Sequence, residues 1–186
     1  MEWNEVVKHY SRVDVREEIA RWCNVVVAGA EGPKPRWVGI HCSEVDSRGR
    51  RILIRYFKRI PLKIRSAREV ESLLRAFKRF KPRTFYATAN IYRELSKVDH
   101  VFDIGNIIAC TPTWDIDNTR LKWRATIEVC REIVSFLENR GISKSIIIKW
   151  SGNAAHVHIH HQALSPEIRA KRNPVGFSLR LSGVCD

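Results

Sequence analysis

The chain has 186 residues, of which 44% are hydrophobic and 28% charged, with 9 glycines and 7 prolines. That composition excludes collagen-like, disordered and low-complexity classes and fits one folded domain spanning 1–186. Lys and Arg number 33 against 20 Asp and Glu, a formal charge of +13, which points to a polyanionic partner or to a solvated basic face.

In chain order, Trp3 to about Cys23 reads as helical, with Val6, Val7, Tyr10, Ile19, Trp22 and Cys23 at loosely helical spacing. Gly29 to Pro35 breaks the chain into a turn region. Arg36–Cys42 and Arg51–Phe57 read as strands joined by turn residues Asp46–Gly49. Ser66-Ala-Arg-Glu69 is a capping-box pattern ahead of an amphipathic helix that carries Val70, Leu73, Leu74 and Phe77 and ends near Lys81-Pro82. A strand at Thr84–Ala89, an apolar run at Ile107–Cys110 and a strand-like Trp114-Asp-Ile-Asp117 follow. Asn118 or Thr119 is expected to cap the next helix, built on Ile127, Cys130, Ile133, Val134 and Leu137 and stopped by Asn139-Arg-Gly141. Ser145–Trp150 is strand-like, and Ala155–His160 alternates with period two. The mixture predicts an α+β fold, with a mixed or antiparallel sheet and helices packed on it.

The charge excess is local. Between Arg48 and Arg83 there are 14 basic residues against Glu69 and Glu71, so this block carries +12. Nucleic acid is the leading partner for such a block, and Lys78, Arg79, Lys81 and Arg83 are its candidate contacts. No apolar run approaches the roughly 18–20 residues of a membrane span, and Met1-Glu2-Trp3-Asn4-Glu5 does not open a secretory signal. The expected location is cytoplasmic, with no membrane partner. The five cysteines, Cys23, Cys42, Cys110, Cys130 and Cys185, are scattered and form no C-x-x-C pair, so neither a disulfide framework nor structural zinc is expected.

Asp115 and Asp117, two apart in a strand, share one face. Neighbouring carboxylates repel unless a cation compensates, and Mg2+ or Mn2+ does so while bridging to phosphate oxygens. The competing reading is a strand-end turn in which an aspartate caps the following helix. Ser151-Gly-Asn-Ala-Ala-His156-Val-His158-Ile-His160-His161 sets three imidazoles on one strand face, for metal, phosphate or proton transfer. The alternative is the polar outer face of an edge strand. Between Asp117 and Ser151 there is room for one helix and one strand, enough to return the chain beside the aspartates and form a nucleotidyl-transfer cleft.

Three segments, Thr84-Phe-Tyr-Ala-Thr-Ala-Asn-Ile-Tyr92, Trp114-Asp-Ile-Asp-Asn118 and Trp150-Ser-Gly-Asn-Ala-Ala-His-Val-His158, resemble successive landmarks of the archaeo-eukaryotic primase superfamily, over about 40–174. The resemblance implies the primase catalytic-core (RRM-like) architecture of the small catalytic subunit. It also implies synthesis or extension of primers in DNA replication, from nucleoside triphosphates on a DNA template, as a DNA-directed RNA polymerase or related nucleotidyltransferase. By position, Asp115 and Asp117 match the metal ligands, and His156 matches the histidine that contacts the triphosphate, with Ser151 opening its loop and His158 as the alternative register. A primase large subunit is the implied protein partner. Ala154 stands where relatives commonly carry a second glycine. The family's third carboxylate lacks a clear match, since Glu167 and Asp186 are the acids after His161; the chain is expected to be a truncated or minimal member, or part of a longer product.

Two other readings fit parts of the pattern. One is a non-catalytic nucleic-acid-binding module, supported by the basic block and by Tyr56, Phe57, Phe77, Phe80, Phe85 and Tyr86 as stacking groups. The other is a metal-dependent DNA-nicking enzyme, in which His156-Val-His158 forms a His-hydrophobic-His pair and Tyr10 is the nucleophile.

Overall fold

A computed structural model describes residues 2–117, 122–150, 154–163 and 165. Helices α1 (Trp3–Ser11) and α2 (Val13–Cys23) come first, then strands β1 (Asn24–Val25), β2 (Lys34–Pro35), β3 (Val38–Val45), β4 (Arg51–Ile54), β5 (Tyr56–Phe57) and β6 (Ile60–Pro61). Helix α3 (Ala67–Ala76) precedes β7 (Pro82–Ala87), β8 (Asn90–Tyr92) and β9 (Ile107–Cys110), and then β10 (Thr113–Asp117), α4 (Trp123–Glu138), β11 (Ile146–Trp150) and β12 (Ala154–Ile159) complete the order. The fold is α+β, and it divides into two compact units, 1–108 and 109–186.

The N-terminal helical stretch is two helices rather than one. Arg12 takes extended backbone angles between them, its N–H closing α1 on the His9 carbonyl and its own carbonyl starting α2. In the first unit, β4–β3–β7 form an antiparallel sheet. Alternation sends Val38, Ile40, Cys42, Ile52, Ile54, Phe85 and Ala87 to one face, where they pack with Ala20 and Cys23 of α2 and with Val70 and Phe77 at α3. The expected capping box at α3 does not form: the Ser66 side chain makes no capping bond, and Glu69 accepts at 2.7 Å from the N–H of Arg65, one residue before the N-cap. The helix stops at Ala76, and a 3₁₀ turn over Lys78–Phe80 delivers Pro82 to the sheet. Arg36 is fully buried at the start of this unit's core. Its guanidinium donates to the carbonyls of Trp22, Thr88 and Ala89 and lies over the Trp22 ring.

In the second unit the strand order is β10–β12–β11. Both outer strands run antiparallel to β12, so they are parallel to each other and α4 is the crossover between them. Cys130, Ile133, Val134 and Leu137 of α4 pack on Ala155, Val157 and Ile159 of β12, flanked by Trp114, Ile116 and Ile146. Val157 and Ile159 have no exposed surface, and burying each contributes roughly 1.5–3 kcal/mol. Gly141, at φ +81°, closes α4 as expected, with the Ile142 N–H returning to the Leu137 carbonyl. Among the described residues, α4 begins at Trp123 behind Lys122; the expected caps, Asn118 and Thr119, lie outside them. No helix of the described residues is long and apolar enough to cross a membrane.

Candidate functional site

The face of the second sheet opposite α4 is where the chemistry-bearing residues meet. Because Trp114 and Ile116 point to the helix, Thr113, Asp115 and Asp117 point away from it. On β12 the same alternation turns Ala154, His156 and His158 outward. The register then pairs Thr113 with His158, Asp115 with His156 and Asp117 with Ala154. His156 Nδ1 lies 3.3 Å from Asp115 Oδ1. The His156 and His158 rings are parallel within 6° at 5.8 Å between centroids. Thr113 Oγ1 donates to the Thr111 carbonyl at 3.0 Å and stands 2.8 Å from His158 Nδ1. With its one proton so directed, the hydroxyl accepts from Nδ1–H of His158.

Compared with models of protein families, with curated proteins and with solved structures, the chain matches none.

The geometry decides between several readings of the motifs. β12 is the central strand of its sheet, so the edge-strand reading of the histidines fails: both neighbours pair with it. His160 does not share their strand. β12 ends at Ile159, and the His160 ring lies 4.3 Å from that of His161. Ala154, in the place of a family glycine, sits in regular strand pairing with Asp117, and among the described non-glycine residues positive φ is confined to Lys58, Arg59 and Lys81, so alanine there carries no backbone strain. Ser151 lies outside the described residues. So do Cys185 and the two late acids, Glu167 and Asp186.

Asp115 is 67% exposed and His156 only 24%, so the carboxylate is open to a ligand while the imidazole beside it is held. Asp115 and Asp117 stand roughly 7 Å apart along the strand. Two hard oxygen donors at that spacing suit Mg2+ or Mn2+, which takes one or two carboxylates and fills its other positions with water and phosphate oxygens. Among the described residues no group of three His, Cys, Asp or Glu converges as a closed metal cage. Lys149 went unnoticed in the sequence, yet register puts it opposite His156 on the other side of β12. Ile146-Ile-Ile-Lys-Trp150 has no period-two pattern, so the pairing with β12 alone places Lys149.

In the first unit, Lys78 and Arg79 are exposed, and Arg79 lies over the Phe80 ring at 4.4 Å. Lys81 is paired with Glu44 at 2.7 Å, whereas Arg83 is half-buried on β7 and has no acidic partner among the described residues. The expected nicking nucleophile, Tyr10, is buried and donates its hydroxyl to the Arg83 carbonyl at 3.2 Å, and burial pushes its pKa up. Forming a phenolate there is harder than at an exposed tyrosine.

Proposed function

We propose that the protein is a primase-like nucleotidyltransferase, joining nucleoside triphosphates on a DNA template or primer with Mg2+ or Mn2+, and that β10–β12–β11 is its RRM-like catalytic sheet. The single observation that carries the reading is the register pairing Asp115 with His156. Two motifs far apart in sequence, chosen for their separate chemistry, become neighbours on an open face.

Asp115 and Asp117 would hold the ion, with the triphosphate as its other partner. The ion, when bound, stabilises charge building on the transferring phosphoryl group. His156 orients the triphosphate: with Nδ1 facing Asp115, its Nε2 is left for a phosphate oxygen. Ser151, earlier in the same motif, is a further phosphate donor. Lys149 adds positive charge on the neighbouring strand. A third carboxylate comes from the residues outside the described set or from a partner such as a primase large subunit.

The parallel His156 and His158 rings favour a second reading, a histidine-pair metal site of a nicking enzyme, and one experiment separates the two. Manganese binding by the full chain is titrated by electron paramagnetic resonance, with and without a nucleoside triphosphate, alongside incorporation on a primed template. The primase-like reading expects Asp117→Asn to lose metal binding and at least about a hundredfold of incorporation, and His158→Ala to keep both within severalfold. Loss in His158→Ala with Asp117→Asn intact supports the histidine-pair site, and unchanged incorporation in Asp115→Asn or Asp117→Asn overturns the primase-like mechanism.

A further inference from the structure

The first unit carries a second surface that this chemistry does not use. Its β4–β3–β7 sheet has α2 and α3 on one face, and the other face presents Trp37, Gly39, His41, Leu53, Arg55 and Tyr86 around an open groove of about 410 Å3. Tyr86, next to last in β7, is 54% exposed, and register sets it directly opposite Gly39. Gly39 itself is buried, with the Leu53 and Arg55 side chains closed over it, so the exposed shelf of this face is the Tyr86 ring. Gly39 is there for space and not for conformation. Its φ is not positive, and a Cβ would stand 3.3 Å from Leu53 Cδ1 and 3.7 Å from Arg55 Cγ, crowding the two side chains that pack over it.

The groups around the shelf are flat or cationic. The His41 ring meets Tyr86 edge-on at 6.1 Å, and the Arg55 guanidinium lies 4.9 Å above Trp37, whose Nε1 donates to the Arg55 carbonyl. Arg51, on the same side of β4, is exposed, and neither Arg51 nor Arg55 has an acidic partner among the described residues. The block from Arg48 to Arg83, which contains β4 and ends on the first residues of β7, carries +12. An apolar protein partner does not call for that charge, and a duplex does not offer the open π-face of a base to Tyr86. An unpaired strand meets both demands, with a base on the ring and phosphates along the arginines.

We infer that this face is a stacking platform for single-stranded nucleic acid, with Tyr86 as the ring a base lies on and Arg51 and Arg55 as phosphate contacts. The platform goes beyond the nucleotidyl-transfer reading and stands without it, because binding here needs neither metal nor triphosphate.

The test is fluorescence anisotropy of short oligodeoxythymidylate and oligouridylate on the full chain, in a metal chelator, across a salt series, with a duplex of equal length as control. Tyr86→Ala is expected to weaken single-strand binding roughly tenfold or more without altering the salt slope, and Tyr86→Phe to bind like the parent. Gly39→Val weakens binding too, by displacing the Leu53 and Arg55 side chains packed over that position, and Arg55→Gln lowers the salt slope. Circular dichroism and sedimentation velocity accompany each variant. The inference is overturned if Tyr86→Ala binds as the parent does, if the parent binds duplex as tightly as single strand, or if Tyr86→Ala changes the sedimentation coefficient, which would make a second copy the occupant of this face.

Discussion

The Thr113 hydroxyl stands 2.8 Å from His158 Nδ1, two residues along the ladder from Asp115 and His156. A threonine two positions before the first aspartate therefore sets the tautomer of a histidine on the neighbouring strand. Thr113→Val keeps the shape and removes the oxygen, and about 1 kcal/mol of stability goes with the hydrogen bond. Imidazole nitrogen NMR is the direct check: the parent should show His158 protonated at Nδ1, and the variant should show a tautomer mixture.

The hairpin between β5 and β6 turns on two residues, Lys58 at φ +50° and Arg59 at φ +64°. Positive φ at both central positions defines the mirror-image turn that favours Asn-Gly, and two long side chains there carry strain of about 1–2 kcal/mol. The described non-glycine residues in this conformation, these two and Lys81, are all cations of the basic block. Replacing Lys58-Arg59 with Asn-Gly should raise the thermal midpoint by several degrees while weakening nucleic-acid binding and its salt dependence. A rise in stability with unaltered binding would leave the two cations without a ligand role.

Among Lys78, Arg79, Lys81 and Arg83 the contribution to binding should be unequal. Lys81 is already neutralised by Glu44, so the other three are the stronger candidates for displacing counterions. Removing one phosphate-binding cation should lower the slope of log affinity against log salt by about 0.7 for a single strand. Lys78→Gln with Arg79→Gln should move the slope by roughly twice that, and Lys81→Gln by less than either alone. Equal effects from all four would indicate that the Glu44 pair opens on binding.

Burial pushes the Cys23 thiol up to about 12 from its ordinary value of 9.0 and the Cys42 thiol to about 11. Both thiols stay protonated in the fold where an unfolded chain would ionise. The native state is thus favoured below pH 9, and that advantage is lost as pH rises from 9 towards 12. Alkaline unfolding followed by circular dichroism should show the decline in that window, and Cys23→Ser should alter its steepness. Native-state labelling with a thiol reagent at about pH 8 should leave Cys23 and Cys42 untouched until denaturant is added.

Much of the second unit was legible because its signals were local. The period-two alternation of Trp114–Asp117 and of Ala155–Ile159 told which side chains share a face, and the helical spacing of Ile127 to Leu137 told what covers the other. What alternation cannot give is register. Nothing local says that Asp115 meets His156 and not His158, since that depends on how far α4 and the β11–β12 connection carry the chain. The break at Arg12 escaped for a related reason: neither glycine nor proline marks it, and extended angles at one arginine suffice to split the helix. The open sheet face of the first unit was hidden in the same way, because Tyr86 reads as one more aromatic in a strand until the partner opposite it proves to be Gly39.

The central place of β12 also bears on how the molecule is made. β10 and β11 leave the ribosome first, yet they lie parallel with a gap between them that β12 must fill. Until Ala154–Ile159 has emerged, neither strand has its partner, and the aspartates face no histidine. On this sheet the aspartates and the histidines are therefore brought together in the single event that inserts β12.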